Sequence, residues 1–199
     1  ILITGTVVGM AYLERYVHQV AAERHVELQV QLLNPPDWVG DSLIRSICLS
    51  TGIRSDDFIL DKQLPAQWAN NLSANPWVQK VRLVHRPYNG IVKLDCELRR
   101  PLAKIARPDG IYYLDDQGIV LPPAELVGSA SHLVELKGET AILPQPGQTV
   151  DSMAMMAGLQ VLAMIRKVDE ALPPEERLWT ELAAMDVGNY QGRRSPSKP

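Results

Sequence analysis

The chain is poor in cysteine. Cys48 and Cys96 are the only two thiols in 199 residues, too few for a disulfide-built scaffold or a four-thiolate zinc site. It also lacks an excess of basic charge: 20 Lys and Arg against 23 Asp and Glu leave a net charge of −3, which argues against a dedicated nucleic-acid binder. Common catalytic signatures are missing. There is no G-x-S-x-G, no phosphate-binding P-loop, no H-E-x-x-H, and no repeat of fixed period. What remains is an ordinary globular balance, 46% apolar and 22% charged, which excludes wholesale disorder. The length suits one medium domain or two small ones.

The first residue is Ile1 rather than Met, so the chain is expected to be processed or part of a longer one. Ile1 to Leu13 carries no charge, yet falls short of the roughly 20 residues that span a bilayer. Three readings stay open: the outer end of a membrane helix, a buried helix, or part of a signal-peptide core. Gly188 to Pro199 ends in a polar run and reads as a frayed tail.

Val26, Leu28, Val30 and Leu32 alternate and predict a half-buried strand. Asn34-Pro35-Pro36 breaks it, and Asp37 is a candidate helix cap. Val39, Leu43, Ile44, Ile47 and Cys48 recur at helical spacing until Gly52. A second helix is expected over 62–74, burying Leu64, Trp68 and Leu72. Two strands follow, Val78 to Arg86 and Ile91 to Arg99, with Asn89-Gly90 as the favoured hairpin pair. In the first, Val81 and Leu83 are expected inward and Lys80, Arg82 and Arg86 outward. In the second, Val92, Leu94, Cys96 and Leu98 share the inner face. The order is β-α-α-β-β in about 80 residues, an α+β sandwich.

Beyond Pro101 the pattern is less regular. Short strands are expected at Ala103 to Ala106, Gly110 to Leu114, Ile119 to Leu121, His132 to Leu136 and Leu182 to Val187. Asp115-Asp116-Gln117-Gly118 reads as a turn. A helix is expected from Asp151 to Ala171, with Met153, Ala157, Val161, Met164 and Val168 as its buried stripe, and Glu175 to Glu181 as a further helical turn.

Chemistry is sparse along this frame. His18, His25, His85 and His132 are dispersed; His18 and His25, seven apart, could share a helix face but read as a surface pair. The adjacent acids Asp56-Asp57 and Asp115-Asp116 read as solvated turns. Met153, Met155, Met156 and Met164 read as core filling. Cys48 and Cys96 could face one core, where two buried thiols are favoured over a disulfide. Charge is more telling. From Gln79 to Arg107 there are eight Lys and Arg and two acids, a local +6 that leaves −9 for the rest. Lys80, Arg82, Val84 and Arg86 are therefore the candidate partner-binding set, facing an acidic partner or an anionic membrane surface. A plain solvated strand face is the competing reading.

The runs Asn75-Pro76-Trp77-Val78-Gln79-Lys80-Val81-Arg82-Leu83, Arg86-Pro87 and Glu97-Leu98-Arg99-Arg100-Pro101-Leu102-Ala103 resemble the FtsQ/DivIB cell-division family. In that family a P-W-(apolar)-x-x-V-x-V strand and an E-R-x-P-(apolar)-A exit bracket the hairpin of a POTRA domain. Tyr113 to Val120 is similar to the (apolar)-D-x-x-G-x-(apolar) start of its second, β-rich domain. Leu133 to Gly138, a long helix and a strand follow in the family's order. The physics is intelligible: Trp77 can plug the space between helix and sheet, Pro101 cannot donate to a ladder, and Gly118 allows a tight turn.

The resemblance implies membrane and juxtamembrane residues at 1–20, a POTRA domain at 25–103 and a partial mixed β domain with a long helix at 104–199. It implies a single-pass inner-membrane protein with its bulk periplasmic or extracytoplasmic. Such a protein is a non-catalytic scaffold that recruits other bitopic division proteins and regulates septum formation. No cofactor, nucleic acid or small-molecule substrate is implied. The family continues past a strand like Leu182 to Val187 into further strands that carry the main docking edge, so the β domain is expected to be incomplete. Two other classes stay open: a POTRA-containing outer-membrane assembly or secretion component, and a cell-wall enzyme whose site lies past Pro199.

Overall fold

Val30 and Leu32 alternate in the first strand, β1 (Gln29–Leu32), and with Leu28 just before it turn one face to the core. The structure is a computed structural model that describes residues 9–10, 12–13, 15–16, 28–54, 63–85, 90–138 and 142–190. Val26, Arg86 and the turn at 87–89 lie outside the described residues, as does most of the expected membrane segment at 1–20. Among the described residues no helix is long and apolar enough to cross a membrane.

After β1 the chain forms α1 (Asp41–Ser50), α2 (Leu64–Ser73), β2 (Val78–His85) and β3 (Ile91–Leu98). β1 pairs parallel with β3 and β2 pairs antiparallel with it, so the sheet order is β1-β3-β2. A parallel pair needs a long crossover, which α1 and α2 supply. Leu43 and Ile47 of α1 and Trp68 and Leu72 of α2 are buried with Val92, Leu94 and Leu98 of β3. Each such side chain contributes about 1.5–3 kcal/mol of hydrophobic stabilisation.

Two local expectations need correction in this lobe. The residue capping α1 is Gly40, with no side-chain cap, rather than Asp37. A Cβ at Gly40 would stand 2.9 Å from the Glu125 carbonyl oxygen, so close backbone approach accounts for the glycine. The alternation of β2 is also broken. Register shifts between Val78 and Lys80 and between Val81 and Leu83 insert extra residues against β3. Val78, Val81 and Val84 therefore pack on the core, whereas Leu83 is turned out and 52% exposed.

The second lobe begins at β4 (Ala103–Arg107), which pairs antiparallel with β5 (Gly110–Leu114). β6 (Val120–Leu121), β7 (Val134–Lys137) and β8 (Ala184–Asp186) complete a mixed sheet in the order β6-β5-β4-β7-β8. Gly118 turns between β5 and β6 with φ of 75°. The expected helical turn near 175–181 is a short 3-10 helix at Pro174–Glu176. The sheet is covered by α3 (Met153–Glu170), whose first turn is capped by the Ser152 hydroxyl accepting from Met155 N.

The face by which α3 docks differs from the expected one. Ala154, Met155, Gly158, Leu159 and Leu162 are buried, whereas Met153, Val161, Met164 and Val168 are exposed and Ala157 is half-buried. The helix is apolar nearly all round from Met153 to Ile165, so periodicity has two solutions. Gly158 selects between them: a Cβ there would meet Val187 Cγ1 at 2.7 Å. Small residues at 154 and 158 let the helix sit close on the sheet, and only two of the four methionines expected as core filling, Met155 and Met156, pack there.

The lobes are tied together after β6. Val39 bridges to Leu126, Val127 N donates to Trp38 O at 3.0 Å, and Ser42 Oγ donates to Glu125 Oε2 at 3.0 Å. Leu121 and Ala130 consequently belong to the first lobe's core. Trp77 fills this junction, with ring centroids 6.3 Å from Trp38 and 5.9 Å from Tyr113.

Candidate partner-binding surfaces

The outer face of β2 and β3 follows from the broken alternation just described. Lys80, Arg82, Leu83 and His85 are exposed on β2, which is an edge strand of its sheet. Opposite them on β3 stand acids as well as a base: Lys80 faces Glu97, Leu83 faces Asp95 and His85 faces Lys93. Arg82 Nη2 reaches Glu97 Oε2 at 3.2 Å, with 57% and 46% of the two side chains exposed. An exposed pair of this kind is worth about 0–1 kcal/mol and leaves the arginine available to a partner. Of the four candidate residues, Lys80 and Arg82 thus lie together on the outer face. Val84 is turned to the core, and Arg86 lies outside the described residues.

The exit from β3 is built differently. Arg99 Nη1 donates to Asp115 Oδ2 at 2.9 Å, and the Asp115 side chain is only 3% exposed. Asp115 Oδ1 accepts from the backbone N–H groups of Gln117 and Ile119 at 3.0 and 2.7 Å. The acid expected to be a solvated turn residue is therefore buried, and it holds the turn and the lobe junction together. Asp116 beside it is exposed.

Beyond that pair, a cleft of about 370 Å³ opens between Arg99 to Leu102 and the last turns of α3, with Arg166 and Glu170 on its wall. A neighbouring cleft of about 340 Å³ shares Arg100, Arg166 and Glu170 and is closed by Arg177 and Trp179. Burial, and then the Arg100 guanidinium, hold Arg166 below the ordinary arginine range. The sequence placed Arg100 in a charge run and in the motif that leaves the second hairpin strand, and gave no sign of Arg166, Arg177 or Trp179. No local signal joins residues that tertiary folding brings together from such distant positions.

Reactive groups are quiet. Cys48 and Cys96 are free, half-buried, and packed on the same core. Burial, then Asp95 and Cys48, push the Cys96 thiol from 9.0 up to about 11, so it is a poor nucleophile near neutrality. His85 and His132 are both exposed, and His132 Nε2 lies 3.1 Å from Leu182 O. His18, His25 and Asp56-Asp57 lie outside the described residues. Among the described residues no three His, Cys, Asp or Glu side chains converge to hold a metal ion. No protein-family model matches the chain, and no curated protein matches it.

Proposed function

We propose that the chain is a non-catalytic scaffold of the FtsQ/DivIB type, with a POTRA domain at 25–103 and part of a β domain at 104–199. In this reading it is anchored in the inner membrane through the 1–20 segment and recruits other bitopic division proteins. The supporting observation is the β-α-α-β-β unit whose edge strand β2 carries Lys80 and Arg82 outward and whose exit passes directly into a second sheet. An open edge with exposed cations suits docking by strand addition or by charge complementarity. The Asn75-Pro76-Trp77 and Arg99-Arg100-Pro101 motifs bracket that hairpin.

The test is complementation. In bacteria depleted of their own FtsQ-type protein, full-length protein containing this chain is expected to localise to the septum and restore division. Septal localisation that fails despite normal folding and membrane insertion overturns the assignment. Reversing Lys80 and Arg82 to Glu together is expected to reduce recruitment of a partner while leaving the fold intact, because neither side chain is buried.

A further inference from the structure

Two clefts meet where the first lobe joins α3, and Arg100, Arg166 and Glu170 line both. Arg166 is held from two sides: Nη1 donates to the Pro101 carbonyl at 3.4 Å, and the guanidinium lies 5.5 Å from the centroid of the Trp179 ring. A guanidinium carries five N–H donors, so most of this one's capacity is unspent. Among the described residues no carboxylate comes within 4.0 Å of Arg100 or Arg166. Asp169 lies on the same helix but is committed elsewhere, accepting from Leu178 N at 3.2 Å and Trp179 N at 2.6 Å. Glu170 and Asp116 act on Arg166 only at longer range, and Arg100 repels it. Arg177 adds a third cation at the rim, tethered by Nε to Leu172 O at 3.2 Å.

Two forked cations lining one crevice, Arg166 half-buried and Arg100 exposed at its mouth, beside an aromatic face and without a contacting counter-ion, match a carboxylate in geometry and charge. We propose that this crevice binds a carboxylate side chain from an acidic segment of a partner protein, bridging Arg100 and Arg166 while Trp179 packs on the segment's apolar part. The identification of the ligand as a protein segment rests on the scaffold reading above; the anion-binding geometry does not.

Trp179 supplies the readout. Trp38, Trp68 and Trp77 are buried and Trp179 is only half-buried, so a ligand here changes the fluorescence of one indole. The 199-residue chain is titrated with a short amidated peptide of glutamate and leucine, with its glutamine counterpart, and with inorganic phosphate. Saturable quenching or enhancement is expected with the glutamate peptide, is absent with the glutamine peptide, and disappears in Trp179→Phe. Arg100→Gln is expected to weaken binding roughly tenfold or more, as for loss of a charged hydrogen bond. Its unfolding midpoint should not move, because Arg100 is exposed and makes no hydrogen bond among the described residues. Arg166→Lys, which keeps the charge but loses the fork, is expected to weaken it too; should that variant unfold, the affinity of Arg100→Gln decides the matter. Equal binding of the glutamine peptide, unchanged affinity in Arg100→Gln, or displacement by phosphate as effective as by the peptide would each overturn the proposal. A chain that binds the peptide but fails to restore septation leaves this site standing and removes the scaffold reading.

Discussion

The two lobes handle apolar surface differently. In the first, the helices α1 and α2 bury Leu43, Ile47, Trp68 and Leu72 and leave one large apolar side chain, Leu49, exposed. In the second, α3 is apolar on both sides and leaves Met153, Val161, Met164 and Val168 exposed. A helix whose apolar residues fall mostly on one side states its own orientation, because burying the wrong face would expose apolar area and desolvate polar groups at once. A two-sided helix states only that it is a helix. Its orientation is decided by what it must fit against, here the close approach of Gly158 to Val187 and Leu136.

The sharpest way to break this comparison is a pair of truncations on α3. Leu159→Ala is expected to cost about 2–5 kcal/mol and Val161→Ala within about 0.5 kcal/mol, by denaturant unfolding of the full chain. Equal costs would mean that the helix docks by its other face. The next effect lies at the junction. Asp115→Ala removes the Arg99 partner and the acceptor of two backbone N–H groups, with an expected loss of about 2–4 kcal/mol. Asp115→Asn, which can still accept from the backbone, should lose less.

Smaller effects sharpen the picture of the first lobe. Cys96 titrates higher folded than unfolded, so the folded chain holds its proton longer as pH rises. Stability from this group is present below the unfolded value near 9 and is lost as pH climbs toward about 11. Alkylation of the native chain at pH 8 should accordingly be slow at Cys96 and fast after unfolding, as followed by mass spectrometry. Smallest of all is the Arg82–Glu97 pair. A double-mutant cycle should give about 0–1 kcal/mol, falling with added salt.

Much of the frame was legible from sequence. The alternation of Val92, Leu94 and Leu98 identified the central strand, Gly52 ended α1, and Asn75-Pro76 ended α2. The outer face of β2 was half legible. Lys80 and Arg82 point outward as expected, but Leu83 and Val84 exchange roles, because a bulge leaves no trace in a run of β-formers. The junction was hardly legible. Asp115 looked like any turn acid, since nothing adjacent to it shows that Arg99 arrives from 16 residues away.

Sequence alone determined which segments would be strands and helices, because backbone preference and hydrophobic period are local properties. It also placed the positive charge between Gln79 and Arg107 and the turns at Gly52 and Gly118. Tertiary structure alone decided the docking face of α3, the phase of β2, the burial of Asp115 and the meeting of Arg100, Arg166 and Trp179. Each of those depends on which atoms from distant segments compete for the same space, and steric fit and desolvation settle that competition only when those segments pack on one another.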